Sequence, residues 1–159
     1  MGTRRVGSAE EGYFWRKGRF TPIATPTDFP GSLGSAATGL NKKDDIVGFY
    51  IIGGVIHGFL KTGKVISTFD VPFAEVTSTF PLDINGKNEI VGYYTTATGV
   101  ESFVYSPVSG FSKFRVPDAE VTVALTTNDR SQVAGYYVDF DGRINGFVAT
   151  PVSTRVAKR

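Results

Sequence analysis

The chain contains no cysteine. Disulfides, thiolate ligands for a metal ion and a cysteine nucleophile are therefore excluded, and the redox compartment stays open. Residues that favour helices are scarce as well. By contrast, 19 Gly, 8 Pro, 13 Phe and 7 Tyr favour short strands joined by tight turns. We therefore expect an all-β fold.

Charge and long apolar runs are also lacking. The formal net charge of +2 is too small to indicate binding to nucleic acid or to an anionic membrane. No stretch has the apolar length of a membrane span, and Arg4 and Arg5 are not followed by the apolar core of a signal peptide. The chain is therefore expected to be either cytoplasmic or part of a longer protein whose leader is missing.

The length suits one domain, since 159 residues can bury a sizeable core without metals or crosslinks. Residues 1–11 are predicted to be an N-terminal tail, residues 12–151 a single repeat domain, and residues 152–159 a basic C-terminal tail. Both tails are expected to be solvated.

Internal repeats dominate the sequence. The string "IVGYY" at 90–94 recurs as "IVGFY" at 46–50 and as "VAGYY" at 133–137. Its glycine falls at intervals of 44 and 43 residues. Markers with nearly the same spacing are Phe59, Phe103 and Phe147, then Asn41, Asn85 and Asn128, and the Val-Pro pairs at 71–72 and 116–117. The chain therefore holds about three and a quarter units of about 44 residues.

Each unit divides into four short β segments separated by turn residues. In the middle copy these segments are "HGFL", "VISTFDVP", "STFPLDIN" and "IVGYY". Every connection has hairpin length, so we predict an antiparallel meander of four strands in each unit. Four strands in this many residues are typical of a β-propeller blade or of one lobe of a β-trefoil.

The repeated strand favours the propeller. Alternate residues of a strand face opposite sides, so Ile90, Gly92 and Tyr94 share one face while Val91 and Tyr93 share the other. Both faces are apolar or aromatic, as expected of a blade sandwiched between its neighbours. A glycine within a strand indicates a bulge or the close approach of another backbone. We predict a β-propeller-like array of stacked four-stranded units, with a β-trefoil as the alternative.

A longer pattern, "IN..G.IVG.Y" followed by "HGF" and "D.P.A..T", is carried by Ile84, Asn85, Ile90, Val91, Gly92, Tyr94, His57, Gly58, Phe59, Asp70, Pro72, Ala74 and Thr77. In this pattern the chain, from Gly12 onward, resembles bacterial extracellular tandem repeats of the HAF type. The resemblance implies propeller-like arrays outside the cell and no settled biochemical activity. The sequence departs from the pattern at Glu101 and Ser102, which replace His-Gly, at Asn145, which replaces His, and at 133–134.

Ring closure is the open question for such an array. Closed propellers typically need four to eight blades, whereas this chain encodes three units and one further strand at 145–151. The chain is expected to be a fragment of a longer array, to complete a ring with a second copy, or to close by pairing its last strand with the first blade. An open array leaves strand edges and an apolar face bare, so we predict self-association.

Two positions are candidates for catalysis. His57 is the only histidine, and an imidazole can serve as a general base or a metal ligand, although a structural hydrogen bond is favoured here. Glu101 takes the equivalent position in the next copy.

No metal site is predicted. His57 has no second His or Cys partner for a transition metal. The stretch "DFDGRIN" at 139–145 lacks the final Glu of a calcium loop, which favours a plain hairpin. No cofactor motif is present.

The candidate ligand-binding residues are aromatic or amide side chains near strand ends: Trp15, Tyr50, Tyr94, Tyr137 and Asn145. A flat ring with a hydroxyl or N–H group can stack on a sugar, although core packing is favoured for the tyrosines.

The leading hypothesis for function is a non-enzymatic module that binds a glycan or a protein partner at repeated pockets between blades. The alternative is a hydrolase or lyase that acts on a carbohydrate or a small ring compound at the diverging positions His57 and Glu101. A structural piece without a ligand is the third hypothesis.

Overall fold

The protein is described by a computed structural model that covers residues 2–6, 9–24 and 28–152. These residues form strands and no helix, and no segment of this part of the chain is a helix long and apolar enough to span a membrane. The strands are β1 Gly2–Val6, β2 Ala9–Arg16, β3 Arg19–Ala24, β4 Gly34–Leu40, β5 Ile46–Ile52, β6 Val55–Thr62, β7 Val65–Phe69, β8 Val76–Ile84, β9 Ile90–Thr96, β10 Gly99–Ser106, β11 Gly110–Phe114, β12 Ala119–Thr127, β13 Val133–Asp139 and β14 Ile144–Ala149.

Antiparallel pairing groups the strands into four consecutive sheets. We call them the first sheet (β1–β3), the second (β4–β7), the third (β8–β11) and the fourth (β12–β14). A single parallel bridge between Glu10 and Gly34 joins the first sheet to the second. The predicted all-β class is confirmed. The sheets do not close into a ring within the described residues, so the propeller-like arrangement and its trefoil alternative stay predictions.

The boundary between units differs from the prediction. The four segments of the middle copy are β6, β7, β8 and β9, but β7 belongs to the second sheet and β8 to the third. The expectation that every connection is a hairpin is therefore wrong at residues 70–75, between β7 and β8. Pro72 lies in this connection and has no N–H to give to a ladder, and Glu75 has a left-handed φ of 65°. The chain leaves one sheet here and starts the next.

The segment predicted as an N-terminal tail contains β1. This strand pairs antiparallel with β2, from Gly2 opposite Tyr13 to Val6 opposite Ala9. Its backbone groups therefore join a ladder instead of being solvated, because β2 offers an unpaired edge there. Of the predicted basic C-terminal tail, residues 153–159 lie outside the described residues.

Successive sheets stack through the first strand of each following sheet. β8 packs against β4, β5 and β6 of the second sheet, and β12 packs against β8, β9 and β10 of the third. The strand "IVGYY" therefore has a neighbour on both faces. Ile90 and Tyr94 pack with Val47, whereas Val91 packs with Ala124 in the fourth sheet. The predicted burial of both faces is confirmed for β9, where Ile90, Val91 and Tyr94 are buried.

The repeated glycine lies opposite a β-bulge in the neighbouring strand of its own sheet. The register of β8 and β9 shifts between Pro81 and Asp83, next to Gly92. A Cβ on Gly92 would lie 2.1 Å from the backbone oxygen of Phe80. The same arrangement recurs at Gly48 and Gly135, where that distance is 2.0 Å at each. The prediction of a bulge or the close approach of another backbone is confirmed, and both the bulge and the approaching backbone belong to the adjacent strand of the same sheet.

The repeated asparagine links neighbouring sheets. The side-chain oxygen of Asn85 accepts hydrogen bonds from the backbone N–H groups of Lys87 (2.9 Å) and Glu89 (3.0 Å), which shapes the β8–β9 turn. Its amide nitrogen donates to the backbone oxygen of Asn128 in the fourth sheet at 2.8 Å. Asn41 makes the same bond to the backbone oxygen of Asn85 at 3.0 Å. One residue type therefore fixes both the turn and the spacing between sheets.

Candidate functional site

Two clefts lie at equivalent places, each where β6 or β10 of one sheet meets the first strand of the next sheet. The first cleft, between the second and third sheets, has a volume of about 260 Å³ and is lined by Val55, His57, Asp70, Val71, Phe73, Val76, Thr77 and Ser78. The second cleft, between the third and fourth sheets, has a volume of about 200 Å³ and is lined by Val100, Glu101, Ser102, Lys113, Phe114, Arg115, Glu120 and Thr122. The stacking of sheets thus produces a cleft at each of these two interfaces.

The candidate residues meet in pairs across neighbouring strands. The register places Tyr50 opposite His57, Tyr94 opposite Glu101, and Tyr137 opposite Asn145. Directly opposed residues on one face of an antiparallel pair have side chains in contact range. The structure therefore brings each diverging position together with the tyrosine of its own sheet, and it distributes the three pairs over three sheets.

In the first cleft, His57 is held by Asp70. Its Nδ1 lies 2.9 Å from one carboxylate oxygen of Asp70 and 3.1 Å from the other. The hydrogen bond predicted for His57 is therefore present. The ring of Tyr50 stacks on His57 on one side (centroids 5.2 Å apart) and on Phe29 on the other (4.1 Å). Because both of its faces are covered, Tyr50 cannot stack on a sugar in this conformation.

In the second cleft, Glu101 is held as a carboxylate. It accepts hydrogen bonds from the hydroxyl of Tyr94 and from the Nζ of Lys113, the latter at 3.2 Å. The hydrogen bond from Tyr94 lowers the pKa of Glu101, and Lys113 and Arg115 lower it further. Burial, and then the hydrogen bond to Glu101, raise the pKa of Tyr94 to about 12. A general acid at neutral pH needs a raised carboxyl pKa. Glu101 is therefore negatively charged at neutral pH, as an anionic binding group is, and it does not carry the proton that an acid catalyst needs.

The divergence at Glu101 is matched by a second change. Asp70 precedes the Val-Pro pair at 71–72, and Arg115 precedes the Val-Pro pair at 116–117, so the two occupy equivalent positions. His57 is hydrogen-bonded to Asp70 in the first cleft. In the second cleft, Arg115 lies in the lining and its charge helps to lower the pKa of Glu101, whose bonded partners are Tyr94 and Lys113. The two clefts therefore share a layout and differ in the arrangement of charge. The change from Asp70 to Arg115 before the Val-Pro pair is visible in the sequence, but neither residue was among the predicted site residues.

Asn145, at the third equivalent position, forms hydrogen bonds within the hairpin between β13 and β14. Its side-chain nitrogen donates to Asp139 (3.3 Å) and to the backbone oxygen of Arg143 (3.2 Å). Asp139 also accepts hydrogen bonds from the backbone N–H groups of Asp141 (3.0 Å) and Arg143 (2.9 Å). The favoured prediction of a plain hairpin over a calcium loop agrees with these bonds, since they occupy the side-chain oxygens of Asp139.

The remaining aromatic candidates lie in different surroundings. The ring of Tyr94 is fully buried and packs on Phe73, with centroids 5.4 Å apart, so it belongs to the core. Tyr137 is half-buried in the fourth sheet. Trp15 is 56% exposed in the first sheet and does not line either cleft. The clefts therefore use charged and hydroxyl groups as their polar contacts, and Trp15 is a separate exposed ring.

No family model, curated protein or solved structure matches the chain. The resemblance to HAF-type repeats therefore stays a prediction, and function must be argued from the clefts and the sheet faces themselves.

Proposed function

We propose that the protein is a non-enzymatic binding module that engages a glycan, or a protein partner, at the clefts between successive sheets. The observation that carries this proposal is the occurrence of the same cleft at two successive interfaces, each containing a bonded pair of polar side chains, His57 with Asp70 in the first and Glu101 with Lys113 in the second. Two similar sites at a fixed spacing on one rigid support raise the affinity for a multivalent ligand without either site being strong. A glycan is itself a repeating ligand.

The lining of each cleft is compatible with this ligand class. In the first cleft, Val71, Phe73 and Val76 supply apolar surface beside the hydroxyls of Thr77 and Ser78. Binding sites for small ligands are mostly apolar with a few placed polar groups. The apolar surface suits the C–H faces of a sugar, and the hydroxyl and charged groups suit its hydroxyls. In the second cleft, Glu101 and Lys113 supply the polar contacts.

A second candidate function rests on His57. An imidazole whose Nδ1 is held by a carboxylate, as His57 is by Asp70, has the orientation that general-base catalysis uses. This favours a hydrolase or lyase that acts on a carbohydrate or a small ring compound. The lowered pKa of Glu101 weighs against Glu101 as its acid partner.

Ligand binding to single-cleft variants tests the proposal. A glycan array identifies a ligand, and isothermal titration with that glycan then compares wild type, His57→Ala, Glu101→Gln and the double variant. Each single variant is expected to lower the apparent affinity about tenfold, because one of two sites is lost, which is about 1.4 kcal/mol. The double variant is expected to show no binding. Asp141→Asn, in the exposed β13–β14 turn, is the charge-matched control and should bind like wild type.

Two results contradict the binding proposal. One is wild-type affinity in the double variant with unchanged thermal stability, which removes both clefts as the site. The other is conversion of the bound glycan to a product by wild type that stops in His57→Ala, which supports the enzyme instead.

A further inference from the structure

The second cleft continues into a neighbouring hollow between the third and fourth sheets. This hollow has a volume of about 230 Å³, and we call it the extension. The residues that line both the second cleft and the extension are Val100, Glu101, Arg115 and Glu120. The extension is also lined by Thr96, Thr98, Gly99 and Val121. Because β10 and β12 each contribute to the shared wall, the second cleft and the extension form one elongated groove along the interface of these strands.

The hairpin at the end of this groove differs from its counterpart beside the first cleft. The β5–β6 hairpin closes with Ile52 opposite Val55, whereas the β9–β10 hairpin closes with Thr96 opposite Gly99. The spacing of 44 residues makes the two pairs equivalent. A Cβ on Gly99 would meet no atom within 4 Å apart from its chain neighbours. The third sheet therefore has less apolar bulk, more open space and an added hydroxyl at the end of the groove.

Polar groups are distributed along the whole groove. At the end of the extension, the hydroxyl oxygens of Thr96 and Thr98 lie 3.1 Å apart. The charged lining residues are two acids and two bases: Glu101, Glu120, Lys113 and Arg115. Apolar side chains lie between these polar groups, at Val100, Phe114 and Val121. Because the charges balance, the groove favours a neutral chain, and alternating apolar and hydroxyl surface matches the C–H faces and hydroxyls of successive sugars.

We propose that the second cleft and the extension together bind consecutive units of one neutral, linear oligosaccharide, so that this site selects its ligand by chain length. The inference rests on the proposed glycan-binding function and adds the kind of glycan. The unit in the second cleft lies beside Glu101 and Lys113. Glu120 contacts the chain where the cleft meets the extension, and Thr96 and Thr98 contact the units beyond. Each further unit that enters the groove adds contacts on the same rigid support, so affinity rises with length until the groove is filled.

An array of neutral, linear hexose oligosaccharides tests the inference, with each linkage type present at chain lengths from the monosaccharide to the hexasaccharide. Isothermal titration then uses the linkage type that binds best. The affinity of wild type is expected to rise by about tenfold or more from monosaccharide to trisaccharide. Thr98→Trp places an indole in the extension and is expected to reduce this rise to less than about twofold. Val108→Trp is the matched control, because Val108 is also an exposed turn residue of the third sheet but lines neither the second cleft nor the extension, and it should keep the full rise.

A second variant keeps the test valid if Thr98→Trp does not fold, which circular dichroism establishes. Thr96→Ile places at the end of the groove the residue that the β5–β6 hairpin has there, and isoleucine favours a strand, so this variant should fold and also lose most of the rise. If wild type binds no oligosaccharide on the array, the proposed function is contradicted and the inference falls with it. If wild type binds with an affinity that does not depend on chain length, or if the rise is unchanged in the folded variant, only the selection by length is overturned.

Discussion

Replacing Gly92 with alanine is expected to lower the free energy of unfolding by about 3 kcal/mol or more, at the upper end of the range for overpacking a core. The added Cβ would lie 2.1 Å from the backbone oxygen of Phe80 and 2.9 Å from the Cα of Pro81. Both are backbone atoms of the bulged strand β8, so relief requires moving that strand, which is packed against the second sheet. Urea denaturation followed by tryptophan fluorescence or circular dichroism measures the effect.

The control for this substitution is Gly146→Ala. The residue type is the same and the position is also within a strand, but the nearest atom to the added Cβ is 3.9 Å away. Alanine has less conformational freedom than glycine in the unfolded chain, so this variant is expected to be neutral or slightly stabilised, by up to about 1 kcal/mol. If Gly92→Ala is as stable as Gly146→Ala, the bulge is not the reason for the repeated glycine.

Replacing Asn85 with alanine is expected to lower the free energy of unfolding by about 3 kcal/mol. Asn85 is 4% exposed. The substitution leaves the backbone N–H groups of Lys87 and Glu89, and the backbone oxygen of Asn128, without their side-chain partner. Each buried polar group left without a partner costs about 1–3 kcal/mol, and water at the turn recovers part of that cost. Urea denaturation measures the loss.

Asn128→Ala separates the turn from the link between sheets. Asn128 makes the same turn bonds, to the N–H groups of Arg130 and Gln132, but it is exposed and its amide nitrogen donates to Gln132 within its own turn. Its replacement is expected to cost about 1 kcal/mol, since water replaces the lost bonds. Equal losses in the two variants contradict a stabilising role for the hydrogen bond from Asn85 to the fourth sheet.

The strands of this fold could be predicted from the sequence because their signals are local. Two-sided apolar strands, the glycine of the repeat and the proline at 72 act within a few residues. The grouping of strands into sheets could not be predicted, because a repeat of about 44 residues does not show which strand is the first of each sheet. Any four consecutive strands fit the period equally well. The boundary between the second and third sheets lies after β7, because the connection at 70–75 crosses to the next sheet instead of turning back along β7.

The candidate site was only half predictable for a related reason. His57 and Glu101 could be identified as positions where the copies differ. His57 and its partner Asp70 are separated by 13 residues, and they meet only through the pairing of β6 with β7. The partners of Glu101 are Tyr94 and Lys113, which the pairing of β10 with β9 and with β11 brings close to it. The sequence therefore shows where the copies differ, but the contacts at those positions depend on how the strands pair.

The central claim is that burial of the repeated strand on both faces comes from the stacking of one sheet on the next. Residue-by-residue amide hydrogen exchange of the wild-type chain tests this directly. The amides of Ile90–Thr96, whose strand has another sheet on both faces, should exchange more slowly than those of Val133–Asp139, whose strand has another sheet on one face within the described residues. If Val133–Asp139 exchange as slowly as Ile90–Thr96, the stacking account is contradicted.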